Sequence, residues 1–423
     1  MGLIAHYRLE DLTASIGNDL LYLNDSGKLT PAAGKLGQAF QRLAYGDGND
    51  YLRSVDKIHL TGSFSMSCWA FVTDAGSSAN GLVTNHSHGD NTGAGITVKR
   101  IAVDDYRISC NTGTGTGRTY HSYYGTSNIK DRWVRLSLRY YAPTQNLSLW
   151  VGENKERELT YPMATQEDYL CLFAWSTTYL SSSGYRPGAI IDDVRVYDHA
   201  ISPREIRDLS LGLSAHYKFD GDFFDSVRYS VAAPVGDVTF DQGVSGKCAV
   251  FSSTGKRIGI EPVSSESATL SFWYKRDDAI AARSWRTAFG CAANIHHAIF
   301  RNGYIFGIFD GSFKSSGVSV PEDGSFHHCA ITLPGDGTAE FFYDGESVGS
   351  ISTTLSLVAN PITRIGDWNG SYWIGYMDDP RIYATALTPA QVKELYQQRA
   401  SIDSEGSVHA PAIQQNPRAR YIR

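Results

Sequence analysis

Residues 191–209 read Ile191-Asp192-Asp193-Val194-Arg195-Val196-Tyr197-Asp198-His199-Ala200-Ile201-Ser202-Pro203-Arg204-Glu205-Ile206-Arg207-Asp208-Leu209. The pattern returns as Met377-Asp378-Asp379-Pro380-Arg381-Ile382-Tyr383-Ala384-Thr385-Ala386-Leu387-Thr388-Pro389-Ala390-Gln391-Val392-Lys393-Glu394-Leu395, at a constant offset of 186 positions. In each copy an acidic pair leads into a short alternating strand, then a small turn, then a helix that carries its own start signal. Ser202 with Glu205, and Thr388 with Gln391, have capping-box spacing, in which the hydroxyl and the third-residue side chain satisfy backbone donors that the first turn leaves free. Pro203 and Pro389 fall at the first helical position, where a missing N–H is harmless. Matching repeats at this spacing mean two copies of one domain.

Outward from these anchors the copies keep step. Gly2-Leu3-Ile4-Ala5-His6-Tyr7 returns as Gly212-Leu213-Ser214-Ala215-His216-Tyr217, and Gly37-Gln38-Ala39-Phe40 as Gly246-Lys247-Cys248-Ala249. The alternating strand Phe64–Phe71 returns as Ala268–Tyr274, with Trp69 and Trp273 in equivalent places. Period-2 alternation buries one face. In Trp133–Tyr140 it puts Val134, Leu136, Leu138 and Tyr140 on one side and Arg135, Ser137 and Arg139 on the other, with Leu147–Val151 as the hairpin partner. Asp344-Gly345 supplies the positive φ of a tight turn. Short strands, glycine-rich turns and one terminal helix per copy predict an all-β chain of two antiparallel sandwiches in tandem, each ending in a short capped helix. The expected spans are 1–210 and 211–398, joined without a flexible linker and held at a fixed angle, followed by an arm over 399–423. The arm reads as a small hairpin with a basic end. Ile402, Val408, Arg418, Arg420 and Tyr421 are its candidates for contact with a partner subunit.

The chain has 423 residues and a formal net charge of −6, with 25 Tyr, 18 Phe, 8 Trp and only 4 Met. That balance argues against a nucleic-acid or anionic-membrane face, and no apolar run reaches bilayer length. The opening residues lack a charged and apolar leader pattern, so no secretory signal is expected. The six cysteines form no C-x-x-C and are expected as buried thiols of a reducing compartment rather than disulfides or metal ligands.

The Gly-Leu-x-x-His-Tyr opening, the Ser-x-Trp strand, the Tyr-x-Asp-Gly hairpin and the closing Asp-Asp-x-Arg-x-Tyr motif together resemble laminin-G-like, concanavalin-A-like jelly-roll domains. The first copy departs at Trp150-Val151-Gly152-Glu153. The second departs at Pro380, which suits an edge strand. The resemblance implies two such jelly rolls and a non-enzymatic binding or adhesion role. It points to a structural or decoration protein of a tailed-bacteriophage virion, with other virion proteins, a second copy or a host-surface glycan as partners. Two other readings stand beside it: a secreted bacterial glycan-binding adhesin, and a glycoside hydrolase of the concanavalin-A-like group.

Retaining hydrolysis needs two carboxylates about 5 Å apart, and the Glu-x-Asp-x-x-Glu pattern of such enzymes is absent. Glu156 and Glu158 share a strand face but sit among Lys155 and Arg157, as at a solvated hairpin end. The neighbours Asp192 and Asp193, like Asp378 and Asp379, point to opposite faces of a strand and cannot act as a facing pair. They are expected to accept backbone N–H bonds where a loop enters the last strand. Calcium, which some members of that family bind, is the alternative, but no ligand-rich loop completes a shell, so no metal or cofactor is expected. His86-Ser87-His88, His296-His297 and His327-His328 lack further ligands at zinc spacing and are expected as surface or partly buried strand residues. The binding candidates are aromatic loops just before each closing strand: Trp175, Tyr179 and Tyr185 in the first copy, Trp368, Asn369, Tyr372 and Trp373 in the second. Aromatic platforms flanked by Asn, Asp and Ser suit sugars or protein interfaces.

Overall fold

The computed structural model describes residues 2–23, 27–44, 50–87, 92–113, 121–164, 166–175, 186–276, 285–291, 293–302, 304–367 and 372–397. Its described elements are strands, apart from a short 3-10 turn and two helices, α1 (Pro203–Ser210) and α2 (Pro389–Gln397).

In the first copy an eight-stranded sheet runs Asn154–Thr160, Asn146–Val151, Trp133–Tyr141, Phe64–Asp74, Gly188–Tyr197, Gln38–Arg42, Leu29–Ala33, with Leu3–Tyr7 also paired to Gly188–Tyr197. A seven-stranded sheet lies against it in the order His121–Tyr124, Asp105–Thr112, Thr92–Ala102, Asn80–Ser87, Gln166–Leu172, Tyr51–Leu60, Leu20–Leu23. The second copy repeats both layers. Its eight-stranded sheet centres on Ala268–Lys275 and Gly375–Tyr383, and its seven-stranded sheet ends in Trp285–Gly290, His296–Arg301, Ile305–Phe309 and Phe313–Ser319. All the pairings between named strands are antiparallel and, among the described residues, none joins the two copies.

Alternation builds each core. Phe64, Met66, Cys68, Ala70 and Val72 point inward with Leu136 and Leu138, and meet Ile96, Val98, Ile108 and Leu172 from the facing sheet. Leu270, Phe272, Tyr274 and Ile331 do the same against Phe289, Phe300, Phe306 and Ile308. At about 25 cal/mol per Å2 of apolar surface removed from water, such facing layers are the main source of stability. Arg135 pairs directly with Trp69, as the alternation requires. Its face is buried too, because the outside of this sheet is itself covered.

The local predictions translate into geometry. Ser202 accepts the Glu205 N–H while Glu205 accepts the Ser202 N–H, and Thr388 and Gln391 repeat the exchange. Asp344 and Gly345 turn at φ 47° and 79°, between the paired residues Tyr343 and Glu346. Pro380 departs from its expected edge position. It sits inside a central strand, between Asp379, at φ 51°, and Arg381, where the pairing to Ala268–Lys275 slips register. A bulge needs no ladder donor at that residue, so proline fits there as well as on an edge.

Candidate functional site

The two acidic pairs hold the fold's buried charge. Asp192 Oδ2 accepts the Leu36 N–H at 2.7 Å, and Asp378 Oδ2 accepts the Val244 N–H at 2.6 Å. Each clamps a Gly-x-x-Gly turn onto the closing strand. The Cβ of any other residue at Gly34 or Gly243 would fall 2.6 or 2.5 Å from that same carboxylate oxygen. Burial, and then the neighbouring Asp193 or Asp379, push Asp192 and Asp378 up to about 7.

Their partners face the other way, in the left-handed region at φ 46° and 51°. Asp193 lies 2.7 Å from His6 Nε2, takes 2.5 Å from Arg135 Nη1 and accepts Arg195 Nε at 3.1 Å. Burial alone would raise the Asp193 carboxyl, but Arg195 and Arg135 outweigh it and hold it well below the carboxylate range. Asp379 takes the same position between His216, at 2.5 Å, and Arg381, at 2.9 Å. In each assembly the carboxylate is paired with both a histidine and an arginine, while His6 Nδ1 and Arg135 Nη2 are left without a partner among the described residues. Buried ions so paired are structural, because removing one partner strands the others. Among the described residues no group of three His, Cys, Asp or Glu is placed to hold a metal ion. Glu156 is engaged as well, accepting from the backbone and hydroxyls of Thr126 and Ser127, and Glu158 pairs with Lys155 and Asn146.

The aromatic candidates divide. Tyr179, Tyr185, Trp368 and Asn369 lie outside the described residues, as do all five arm residues, Ile402, Val408, Arg418, Arg420 and Tyr421. Tyr372 is half-buried. Trp175 is buried, its ring 5.5 Å from that of His86. Trp373 is a correction: it is wholly buried and packs on Tyr274, Phe300 and Phe272 with ring centroids 4.6, 5.4 and 5.9 Å away. It stands four residues before Met377, in phase with the inward side of the closing strand, so the core takes it and no ring face is left for a ligand. The histidines are a second correction. His86, His296, His297 and His328 are all buried, and burial lowers the last three to about 4. His297 Nε2 meets the Asn360 carbonyl and His328 Nε2 the Ser271 hydroxyl, each at 2.8 Å.

Half-buried rings collect instead on the outer face of the second seven-stranded sheet. Trp285 pairs across the ladder with Arg301, and Phe309 pairs with Phe313. Phe306 and Ile308 turn inward, so the alternation sends Phe309 outward. The Trp285 ring lies 5.3 Å from Phe313 and 6.2 Å from Phe309, edge-on in both cases. Gly307 makes room for the patch: a Cβ there would fall 2.7 Å from a Phe313 ring carbon. The Arg301 guanidinium carbon is 5.9 Å from the Trp285 centroid and 5.8 Å from that of Phe313. Behind it, Thr287 Oγ1 and His296 Nδ1 are 2.7 Å apart. Sequence reading missed this cluster. Its one local sign is Asp310-Gly311, a turn dipeptide with phenylalanines close on either side.

Two facing antiparallel sheets in each copy make a jelly-roll sandwich. Residues 252–393 match the family model Laminin_G_3, described as the concanavalin A-like lectin/glucanases superfamily. No curated protein sequence matches. Among solved structures, domain 4 of AbnA, an extracellular arabinanase of Geobacillus stearothermophilus in complex with arabinotriose, is 24% identical, with a TM-score of 0.39 over 44% of this chain and 98% of that one. The binding domain of Paraclostridial Mosquitocidal Protein 1 is 11% identical, with a TM-score of 0.38 over 81% of this chain and 75% of that one.

Proposed function

We propose that the chain is a non-enzymatic carbohydrate-binding protein that presents its sugar-contacting surface on a rigid jelly-roll sheet. The observation that carries this reading is the cluster of Trp285, Phe309 and Phe313, half-buried rings brought together from three strands of one outer face. Sugar rings offer flat C–H faces that suit such rings, and large aromatics on a stiff support give contact area with little entropy to lose. The match of residues 252–393 to a family described by its lectins and glucanases is in keeping with it. The acidic residues with the best catalytic spacing are bound up in structural contacts, which favours binding over hydrolysis.

The test is a glycan array followed by titration of the best saccharide. Parent protein should bind, and Trp285→Ala should weaken binding by a factor of about 10–100, as loss of an aromatic anchor does. Phe313→Ala should act in the same direction. Unchanged affinity in both variants, with folding intact by circular dichroism, would reject the site. The setting we propose is a tailed-phage virion, supported by the resemblance of the tandem domains and the C-terminal arm to such proteins.

A further inference from the structure

We infer that Arg301 makes this face selective for acidic saccharides, sugars that carry a carboxylate. The inference rests on the carbohydrate-binding reading and adds to it the class of sugar.

Arg301 is exposed, and its guanidinium is shared by two rings, Trp285 and Phe313, at 5.9 and 5.8 Å from their centroids. Its backbone carbonyl accepts the Tyr304 N–H, but its side chain makes no hydrogen bond or ion pair among the described residues. Other arginines of the chain are committed. Arg107 holds Asp105, Arg257 holds Asp367, Arg381 holds Asp379, and Arg286 donates to the Tyr274 hydroxyl at 2.8 Å. Nearby carboxylates are also taken. Asp310 accepts from Lys314, Thr353 and Thr354, which draws its charge towards the strand Glu346–Ser352. The result is a planar cation oriented by ring faces, with its N–H edge unused, beside a surface shaped for sugar rings. A guanidinium fixed in this way loses little freedom on binding a carboxylate in a two-pronged contact, and cation–ring attraction supplies the fixing.

The first copy repeats the arrangement in reduced form. Lys99, on the strand paired to Asp105–Thr112, stands 5.6 Å over the ring of Tyr124. Tyr124 is 42% exposed. Lys99 likewise has no ion pair or side-chain hydrogen bond among the described residues. An unpaired cation over a ring therefore recurs at the same edge of both seven-stranded sheets.

The experiment compares oligogalacturonate with the matching neutral galacto-oligosaccharide by calorimetry, on full-length parent, Arg301→Gln, Arg301→Lys and Trp285→Ala. A sulfated oligosaccharide distinguishes carboxylate recognition from general anion attraction. The parent should prefer the carboxylated probe at least tenfold. Arg301→Gln should remove that preference, and Arg301→Lys should keep only part of it. Trp285→Ala should weaken both probes. Equal binding of acidic and neutral probes, or an acidic preference that survives Arg301→Gln, overturns the inference and leaves the carbohydrate reading standing. A sulfated probe that binds as tightly as the carboxylated one also overturns it. Binding of neither sugar, with a blank array, overturns both.

Discussion

Asp193 and Asp379 show how much one residue can organise. Each sits in a backbone region costly for most side chains, and each is held there by a histidine and at least one arginine. Their neighbours give a pH signature. Asp192 and Asp378, pushed up to about 7, keep their protons in the fold at pH values where an unfolded aspartate has already lost its own. The stability they add is full below about pH 4 and lost as pH rises through 7. His6, His296, His297 and His328, lowered to about 4 chiefly by burial, act with the opposite sign. Their contribution is full above about pH 6.5 and lost as pH falls towards 4. The two groups oppose each other across the same window. Replacing both acids by asparagine keeps a carbonyl for the Leu36 and Val244 N–H groups and removes only the acid contribution. Relative to the parent, the Asp192→Asn/Asp378→Asn protein should therefore gain about 6 kcal/mol between pH 4.5 and pH 7.5 in urea unfolding, about 3 for each acid. A difference between the proteins that stays constant with pH would show that these carboxyls titrate normally.

At the scale of elements, α1 joins the copies. Its capping box is complete, and Ile206 and Leu209 pack with Leu3, Trp150, Tyr197 and Ile201. Ser202→Ala should cost about 1 kcal/mol, read as a lowered urea midpoint at unchanged slope. No loss would mean that burial of the apolar face sets the helix start without help from the cap. The α2 helix covers the equivalent face of the second copy in another way, by laying Tyr396 on Trp273 at 5.6 Å and 26°. The first copy puts Lys35 and Arg135 over Trp69, at 5.6 and 5.9 Å. One strand position thus keeps its tryptophan in both copies while its cover changes from cations to a ring.

At the scale of the molecule, side chains link the copies. Arg195 donates to the Val227 carbonyl at 2.8 Å, Arg8 meets Glu261 at 2.8 Å, Arg381 stands 3.7 Å from Asp208, and Arg207 pairs with Glu394. Arg195 and Arg381 serve both the internal clusters and these links, so the closing strand of each copy also anchors its neighbour. All six cysteines are free and buried, and burial pushes Cys68 up to about 12, which makes these thiols packing residues. The virion setting is tested at this scale too. Deleting residues 399–423 should abolish incorporation into particles while leaving saccharide affinity unchanged; full incorporation of the truncated protein would remove the arm from the assembly.

The sequence by itself determined what is local or repeated. The duplicated acidic strand and capped helix, the Trp133–Tyr140 alternation and the Asp344-Gly345 turn are each set within a few residues by dihedral preference, side-chain period and capping chemistry. Only the tertiary structure decided which face of an element meets what. Trp373 reads as a loop aromatic until its phase with Met377 places it in the core. The buried histidines read as surface or partly buried strand residues until covered sheet faces surround them. The patch of Trp285, Phe309, Phe313 and Arg301 has no contiguous signature, because four strands must align before its members become neighbours. Burial and cross-strand contact are properties of the partners a residue acquires, and those partners are fixed by packing at long range.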